Sequence, residues 1–468
     1  MPDAYDLVIL GSGSTAFAAA LRAQALGARV LMIEKSVPGG TCINWGCVPS
    51  KTLIHDALFM HAQRQGEIRG IVGRSPELDF DRLTAHKESV VQHLRQTRYM
   101  NILQNTPNLS LMKGTARFAS PDTVLVGETA IRCKRFLIAT GGSPRSIDFP
   151  GIEHTGYLTS RSALLLKRFP RSLIVVGGGV IAVELGQMFL RLGTRVTVLE
   201  HGPRILPQVE PEVSAAVRQI LTDEGMEILT GVNICAFAQR NGKTAVSAMA
   251  GQQQIEISAE RVLLAAGTTP ASSGIGLDRA GVATDGRGYI QVDTRMRTSA
   301  PGIWAAGDVV GGMMIAPVGA REGIVAVDDM FQEGCGCAMD YLTIPMAVFT
   351  DPEIGTVGHT EAAAREAGIG IMTSILPVTA IPKAHITGNT AGIVKMVADA
   401  ATGRLLGVQL VCDRGADIIN EAALAIRCRL TVDDLASALH VYPSMAEGLR
   451  LCAQSFRKDV SRLSCCAE

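Results

Sequence analysis

The sequence predicts an α/β protein in which two doubly wound parallel-sheet units precede a C-terminal α+β domain. A strand, glycine turn, helix and second strand occur in that order twice, around Gly11 and around Gly177. Each copy is followed by a further buried strand that ends in a glycine turn, at 136–142 and at 261–267. From about Tyr341 the character changes, and alternating β-rich stretches surround helical ones. A chain of 468 residues accommodates this plan, because domains run to about 100–200 residues each.

Composition agrees with that class. Apolar residues make up 47% of the chain, charged residues 19% and aromatics only 4%, with 49 glycines, which suits an enzyme rich in small residues at close backbone contacts. The 44 basic and 44 acidic residues cancel, so there is no electrostatic case for binding nucleic acid or an anionic membrane. No apolar run approaches the roughly 18 residues that a membrane span needs. The start, with Asp3 and Asp6, lacks the positive region of a secretory signal. The expected location is the cytoplasm. There, eleven cysteines read as reactive, metal-binding or inert core thiols rather than as structural disulfides.

The first repeat runs from the strand Leu7–Leu10 through Gly11-x-Gly13-x-x-Ala16 and an Ala-rich helix to a strand ending at Glu34. The second runs from 173–176 through Gly177-x-Gly179-x-x-Ala182 to a strand ending at Glu200. Eighteen residues separate the third small residue from the acid in both copies. A lone Gly-x-Gly-x-x-Gly/Ala is weak evidence; here every part of the dinucleotide-binding pattern agrees, in duplicate. The first glycine makes a tight turn, and the second lets the backbone approach a pyrophosphate. The third small residue packs helix on sheet, and the acid takes a ribose hydroxyl. Two Rossmann-like units imply two dinucleotides, a flavin and a nicotinamide.

Phe136-Leu-Ile-Ala-Thr140-Gly141-Gly142 and Arg261-Val-Leu-Leu-Ala-Ala-Gly267 supply the further strands. Gly302-Ile-Trp-Ala-Ala-Gly307-Asp308 ends a strand on a carboxylate suited to a ribityl hydroxyl. These elements divide the chain into an FAD-binding domain at 1–150, an NAD(P)-binding domain at 151–270, a segment at 271–338 completing the FAD domain, and a dimerisation domain at 339–468. Within the last, strands are expected at 347–349, 393–397 and 406–411, and helices at 361–367, 418–427 and 432–439.

Directly after the first acid comes Cys42-Ile43-Asn44-Trp45-Gly46-Cys47, then Val48-Pro49-Ser50-Lys51. On a regular helix residues five apart rise about 7.5 Å, so a bridge requires local distortion, which Gly46 permits. A helix N-terminus here, together with Lys51, favours thiolate. A pair this close to a flavin site exchanges two electrons with the ring; the alternative is two buried structural thiols or half a zinc site. No second Cys/His pair of zinc-finger spacing accompanies it.

The segment resembles the redox-active disulfide of the glutathione reductase and lipoamide dehydrogenase superfamily, and the match covers essentially the whole chain in order. The resemblance implies FAD in the first unit, held through Gly11, Gly13, Ser14, Ala16, Glu34, Ser36, Gly40, Thr41, Lys51, Ala116, Thr140, Gly141, Asp308 and Ala316. It implies NADPH or NADH in the second, held through Gly177, Gly179, Ala182, Glu200, Arg204 and Gly267. It further implies a homodimer whose subunits complete each other's active sites. Cys47 would lie beside the flavin, Cys42 would be the interchange thiol, and Lys51 would pair with Glu184.

Most reductases of this group carry His-Pro-Thr-x-x-Glu near the C-terminus, where the His protonates a leaving thiolate and the Glu orients it. Here the stretch reads Tyr442-Pro443-Ser444-Met445-Ala446-Glu447. A phenol, titrating near 10, is a poor proton shuttle at neutral pH. His440, two positions earlier, reads as a loop or core histidine. The chain ends Cys465-Cys466-Ala467-Glu468; vicinal thiols bridge each other poorly but present two soft ligands to a soft metal, unless they are accidental cysteines of a frayed terminus.

Together these features resemble the mercuric ion reductase branch, which has a Cys-Cys tail, tyrosine in place of histidine, and a second active-site tyrosine matched by Tyr157. The resemblance implies that Cys465 and Cys466 of one subunit capture Hg(II) from a thiol complex. They pass it to Cys42 and Cys47 of the other, with Tyr157 and Tyr442 flanking the ion. Many relatives begin with a small Cys-x-x-Cys metal domain, whereas this chain opens on the flavin strand, so delivery is expected from the tail or from separate thiol carriers. Glu200 favours NADH, because an acid repels the 2′-phosphate that an arginine normally pairs with, although Arg204 could compensate. The rivals are an ordinary dithiol–disulfide reductase such as a lipoamide dehydrogenase, and a non-catalytic thiol protein that sequesters soft metals. Cys335-Gly336-Cys337 sits in a Gly-rich connection without partner ligands in sequence.

Overall fold

The computed structural model describes residues 5–66, 77–332 and 334–459; Cys465 and Cys466 lie outside them. The first parallel sheet has the strand order Ile303–Ala305, Phe136–Ile138, Leu7–Leu10, Val30–Glu34 and Leu109–Lys113. All four residues of Leu7–Leu10 are buried, as expected of a central parallel strand covered on both faces. The helix Ser14–Ala25 packs on one face, beside the helix Ala316–Phe331. The second parallel sheet has the order Glu227–Thr230, Arg195–Glu200, Ser172–Val176, Arg261–Leu264 and Leu158–Thr159.

In both sheets the strand before the glycine turn is central. The next strand in sequence pairs on one side of it and a later strand on the other. The carboxyl end of that strand is therefore the topological switch point, where an open α/β sheet leaves a crevice for a ligand. A three-stranded antiparallel sheet extends each unit, at 116–132 in the first and 232–259 in the second. Gly142–Pro144 pairs antiparallel with Thr268–Pro270, so the chain enters and leaves the second unit through one two-stranded ribbon.

The C-terminal sheet is antiparallel, in the order Met346–Val348, Glu353–Gly358, Leu405–Cys412, Ile393–Asp399 and Ile371–Pro377. The helices Gly415–Arg427 and Glu447–Gln454 cover it, and their apolar residues close its core around Ile419, Ala422, Leu449 and Cys452. The α+β class expected from the sequence is the one observed. Among the described residues no helix is long and apolar enough to cross a membrane.

Lys395, 1% exposed, ties this domain to the second nucleotide unit. Its ammonium lies 3.2 Å from Glu210, 2.8 Å from Glu212 and 2.9 Å from Glu361. All three ammonium hydrogens thus have partners, the condition under which a buried charge is tolerated.

Candidate active site

Leu10 delivers the chain into Gly11, at φ +116°, and the helix Ser14–Ala25 starts immediately after Gly13. Gly13 caps that helix without a side-chain hydrogen bond, and Gly179 caps Val180–Arg191 in the same way. Both first turns therefore offer open backbone N–H groups and a positive dipole end to an anion. Gly40 comes so close that a Cβ on it would lie 2.6 Å from the Gly13 Cα. Only glycine lets the loop after the first acid close over the turn. Asn44 braces this loop, donating to Pro38 and Gly40 carbonyls at 3.0 and 2.9 Å and accepting from Arg95 at 3.0 Å.

The two acids occupy equivalent positions. Glu34 accepts from the Ser12 hydroxyl and the Ser36 amide, both at 2.7 Å. Glu200 accepts from the amides of Gly178 and Gly202. Each acid thus bridges its glycine turn to the residue two places beyond itself. Arg204 turns back into its own loop, donating to the carbonyls of Pro207 and Val209.

Further groups belong to the first crevice. The Thr140 hydroxyl oxygen is buried, with no partner among the described residues. Gly141, at φ +73°, accepts from the Ala271 amide, and Gly267 holds the matching turn in the second unit, accepting from the Arg145 amide. Burial raises the Asp308 carboxyl above the ordinary range. Its preceding residue is fixed by Glu322, which accepts from the Gly307 amide and the Tyr341 hydroxyl, both at 2.7 Å. Ala116 opens the strand Ala116–Ser120, and Ala316 opens the helix Ala316–Phe331. An orphaned buried hydroxyl, a half-buried carboxyl, uncapped helix turns and a glycine-to-glycine approach fit a polyhydroxylated pyrophosphate ligand, as FAD is.

The redox pair does not share one helix. Cys42 lies in Gly40–Asn44, whereas Cys47 opens Cys47–Gly66, with Trp45 and Gly46 breaking the run. A Cβ on Gly46 would lie 3.1 Å from the Thr41 carbonyl oxygen and 3.5 Å from the Cys42 Cα, so this glycine allows the second helix to start against the first. Cys42 is half-buried and Cys47 exposed. The Cys42 thiol donates to the Cys47 sulfur, which lowers Cys47 to about 7, with Lys51 contributing in the same direction. The same bond, with burial, pushes Cys42 up. The pair thus combines a thiol that donates with a sulfur shifted towards thiolate.

Lys51 stands one helical turn after Cys47 and meets Glu184 at 2.6 Å. The other Glu184 oxygen accepts the Phe349 amide at 2.8 Å, and the Lys51 ammonium sits 4.8 Å from the centre of the Phe349 ring. The Arg161 guanidinium lies 3.7 Å from the centre of the Trp45 ring, between the two cysteines in sequence. Tyr157, nearby in the chain, packs against the cluster that includes Ile152, Val176 and Leu264.

Tyr442 is half exposed at 50%, flanked by Leu439 at 91% and Val441 at 80%. Glu447 is buried; one oxygen accepts from Arg450 at 2.7 Å, and the other has no partner among the described residues. His440 is bonded to Glu421 at 2.9 Å, which raises its pKa. Ser12, Asn44, Glu322 and the Phe349 amide escaped the sequence reading. Ser12 had a local signal, as the polar residue inside the glycine turn, and Asn44 had one in its place between the two cysteines; Glu322 and the Phe349 amide act across distances that no motif spans.

The Pyridine nucleotide-disulphide oxidoreductase family profile matches residues 5–323, and the dimerisation domain of that family matches residues 344–453. The chain is 39% identical over 475 residues to a mercuric reductase of Staphylococcus aureus, spanning 99% of this chain and 84% of that one. It is 38% identical over 470 residues to a mercuric reductase of Streptomyces lividans, spanning 99% and 98%. Among solved structures, the Cu(II) complex of the HOCl-induced flavoprotein disulfide reductase RclA from Escherichia coli is similar with a TM-score of 0.87. It is 32% identical, covering 98% of this chain and 100% of that one.

Proposed function

This chain belongs to the pyridine nucleotide-disulphide oxidoreductase family, and from that premise we propose that it reduces Hg(II) to Hg(0) with two electrons from NAD(P)H. Its cofactors are FAD and NAD(P)H. FAD supplies two-electron transfer between the nicotinamide and the cysteine pair. The chain's own residues do the rest. Cys47, lowered to about 7, supplies the first thiolate to an incoming Hg(II) thiol complex. Cys42 supplies the second; its proton passes to one of the two displaced carrier thiolates, and the other carrier leaves as thiolate. Two-coordinate thiolate binding satisfies a soft d¹⁰ cation, and Hg(0) leaves because it has little affinity for thiolate.

The observation that carries this reading is Tyr442 at the proton-handling position. Reducing a disulfide requires protonation of a leaving thiolate; reducing a metal ion does not. His440, spent on Glu421, supplies no substitute. Full-length similarity to mercuric reductases supports the same reading. We place Tyr157 and Tyr442 beside the bound ion, Cys465 and Cys466 on the partner subunit as the capture pair, the enzyme in the cytoplasm, and NADH as the better donor because of Glu200.

The test is Hg(II)-dependent NAD(P)H oxidation by the yellow holoenzyme in the presence of excess thiol. Turnover that Cys42→Ala or Cys47→Ala abolishes supports the proposal. Absence of Hg(II)-dependent oxidation, with rapid turnover of lipoamide or glutathione disulfide, would establish the ordinary dithiol–disulfide reductase instead.

A further inference from the structure

A second pair of thiols stands outside the nucleotide sites. Beyond the C-terminal end of the helix Ala316–Phe331, Gly334 and Gly336 adopt φ +74° and +61° and fold Cys335 and Cys337 against each other. The Cys337 amide donates to the Cys335 sulfur at 3.3 Å, and the Cys337 thiol approaches the Cys335 carbonyl at 3.6 Å. The two side chains are also in direct hydrogen-bonding contact. The turn is pinned on both sides, by the Cys335 amide on the Gln332 carbonyl at 3.3 Å and the Met339 amide on the Thr294 carbonyl at 2.9 Å. Both thiols are half-buried and so open to solvent. The hydrogen bond with Cys335, together with burial, holds Cys337 above its ordinary value, with Arg321 opposing, so in the free protein this sulfur is a thiol that gives up its proton when a metal binds.

We infer that Cys335 and Cys337 form a second, peripheral soft-metal site that holds a two-coordinate cation such as Hg(II) as a bis-thiolate chelate. Two adjacent thiolates on a fixed turn suit soft d¹⁰ ions. Among the described residues no group of three His, Cys, Asp or Glu side chains forms a metal cluster, so the pair lacks the four ligands of a structural zinc site. Binding replaces two S–H bonds by two S–metal bonds and releases two protons to solvent; no electron moves. The 16-residue helix sets the pair about 24 Å along its axis from Ala316. The site therefore stores the ion and does not reduce it. This inference stands apart from the proposed redox reaction, because its readout is retention of metal rather than turnover.

The test uses full-length, FAD-loaded protein carrying Cys42→Ala, Cys47→Ala, Cys465→Ala and Cys466→Ala, given mercuric chloride with excess glutathione and passed through a desalting column. One mercury per FAD is expected to remain bound. Adding Cys335→Ser or Cys337→Ser is expected to weaken retention about a hundredfold or more, the loss of a chelate's effective concentration. Peptide mapping of the unmutated holoenzyme gives a readout independent of these variants. Cys335 and Cys337 should be alkylated without Hg(II) and protected with it, while the isolated, exposed Cys235 and Cys428 stay reactive at the same thiol concentration. Retention that survives both serine substitutions, or a Cys335–Cys337 pair already oxidised and closed to alkylation in the isolated enzyme, would overturn the inference.

Discussion

Lys51 and Glu184, 133 residues apart, meet at 2.6 Å, and the remaining Glu184 oxygen holds the Phe349 amide. One carboxylate thereby joins the helix that Cys47 opens, the helix Val180–Arg191 of the second nucleotide unit, and the start of the C-terminal domain. Lys51→Met leaves the buried Glu184 without its cation. The expected result is a loss of about tenfold or more in the rate of Hg(II)-dependent NAD(P)H oxidation, with FAD still bound. An unchanged stopped-flow trace for this variant would remove the ion pair from the mechanism.

The thiolate of Cys47 gives a pH profile with a defined sign. Below about 7 the sulfur is protonated, and above it the thiolate dominates. Its alkylation rate in the reduced enzyme should therefore rise with a midpoint near pH 7. Cys42→Ala removes the donated hydrogen bond that is the main cause of the lowering, so the midpoint should move upward. A midpoint that stays put in the variant would mean that Lys51 and the helix terminus set it instead.

Lys395→Met should destabilise the folded chain by about 3–5 kcal/mol, because Glu210, Glu212 and Glu361 lose their shared cation. Urea unfolding at pH 7 measures this. The hydrogen bond from Lys395 holds the Glu361 carboxyl below its ordinary value of 4.5. Its contribution is therefore fully present above pH 4.5 and fades as pH falls through the depressed value. Burial opposes the Lys395 charge, but its carboxylate bonds outweigh burial and raise its pKa above 10.5. That contribution is lost only as pH rises through the raised value. The gap between variant and wild type should accordingly narrow in acid, and a gap constant down to pH 3 would refute the assignment.

Tyr442→His returns an imidazole to a segment whose Glu447 keeps one carboxylate oxygen without a partner among the described residues. Turnover of glutathione disulfide or lipoamide should increase at least about tenfold, since general acid catalysis contributes about 10²–10⁴. Hg(II) turnover should not increase. A variant that remains inert to disulfides would show that more than the missing proton donor excludes them.

For the nicotinamide donor, the expected order is a higher kcat/KM with NADH than with NADPH, and Glu200→Ala should narrow the ratio. Glu200 also braces the Gly178 and Gly202 amides, so the variant's NADH value should fall too. Equal use of both donors by the wild type would assign Glu200 to the loop alone.

The features visible in the sequence were those made by neighbours. Leu7–Leu10 and the strand before Gly177 declare themselves through unbroken apolar runs, and Gly11, Gly13, Gly177 and Gly179 through their spacing. The break between Cys42 and Cys47 had its sign in Gly46. The antiparallel meander at 232–259 has only a faint sign in the sequence, the alternation of Ile255 and Ile257 with Gln254, Glu256 and Ser258, and stronger signals on both sides mask it. The pairing of Lys51 with Glu184 came through family resemblance, not through any pattern of the residues. The bracing of Asn44 by Arg95 and the support of Gly307 by Glu322 depend on packing between distant segments, which no local periodicity encodes.

The ribbon of Gly142–Pro144 and Thr268–Pro270 carries one last consequence. Because the second nucleotide unit leaves the first and returns to it at one place, its two ends are neighbours, and it is an insert in a continuous host. Such an arrangement lets heredity, or an engineer, exchange the second unit as a cassette between residues 144 and 268. The crevice of the first unit and the cysteines beside it would keep their sheet intact.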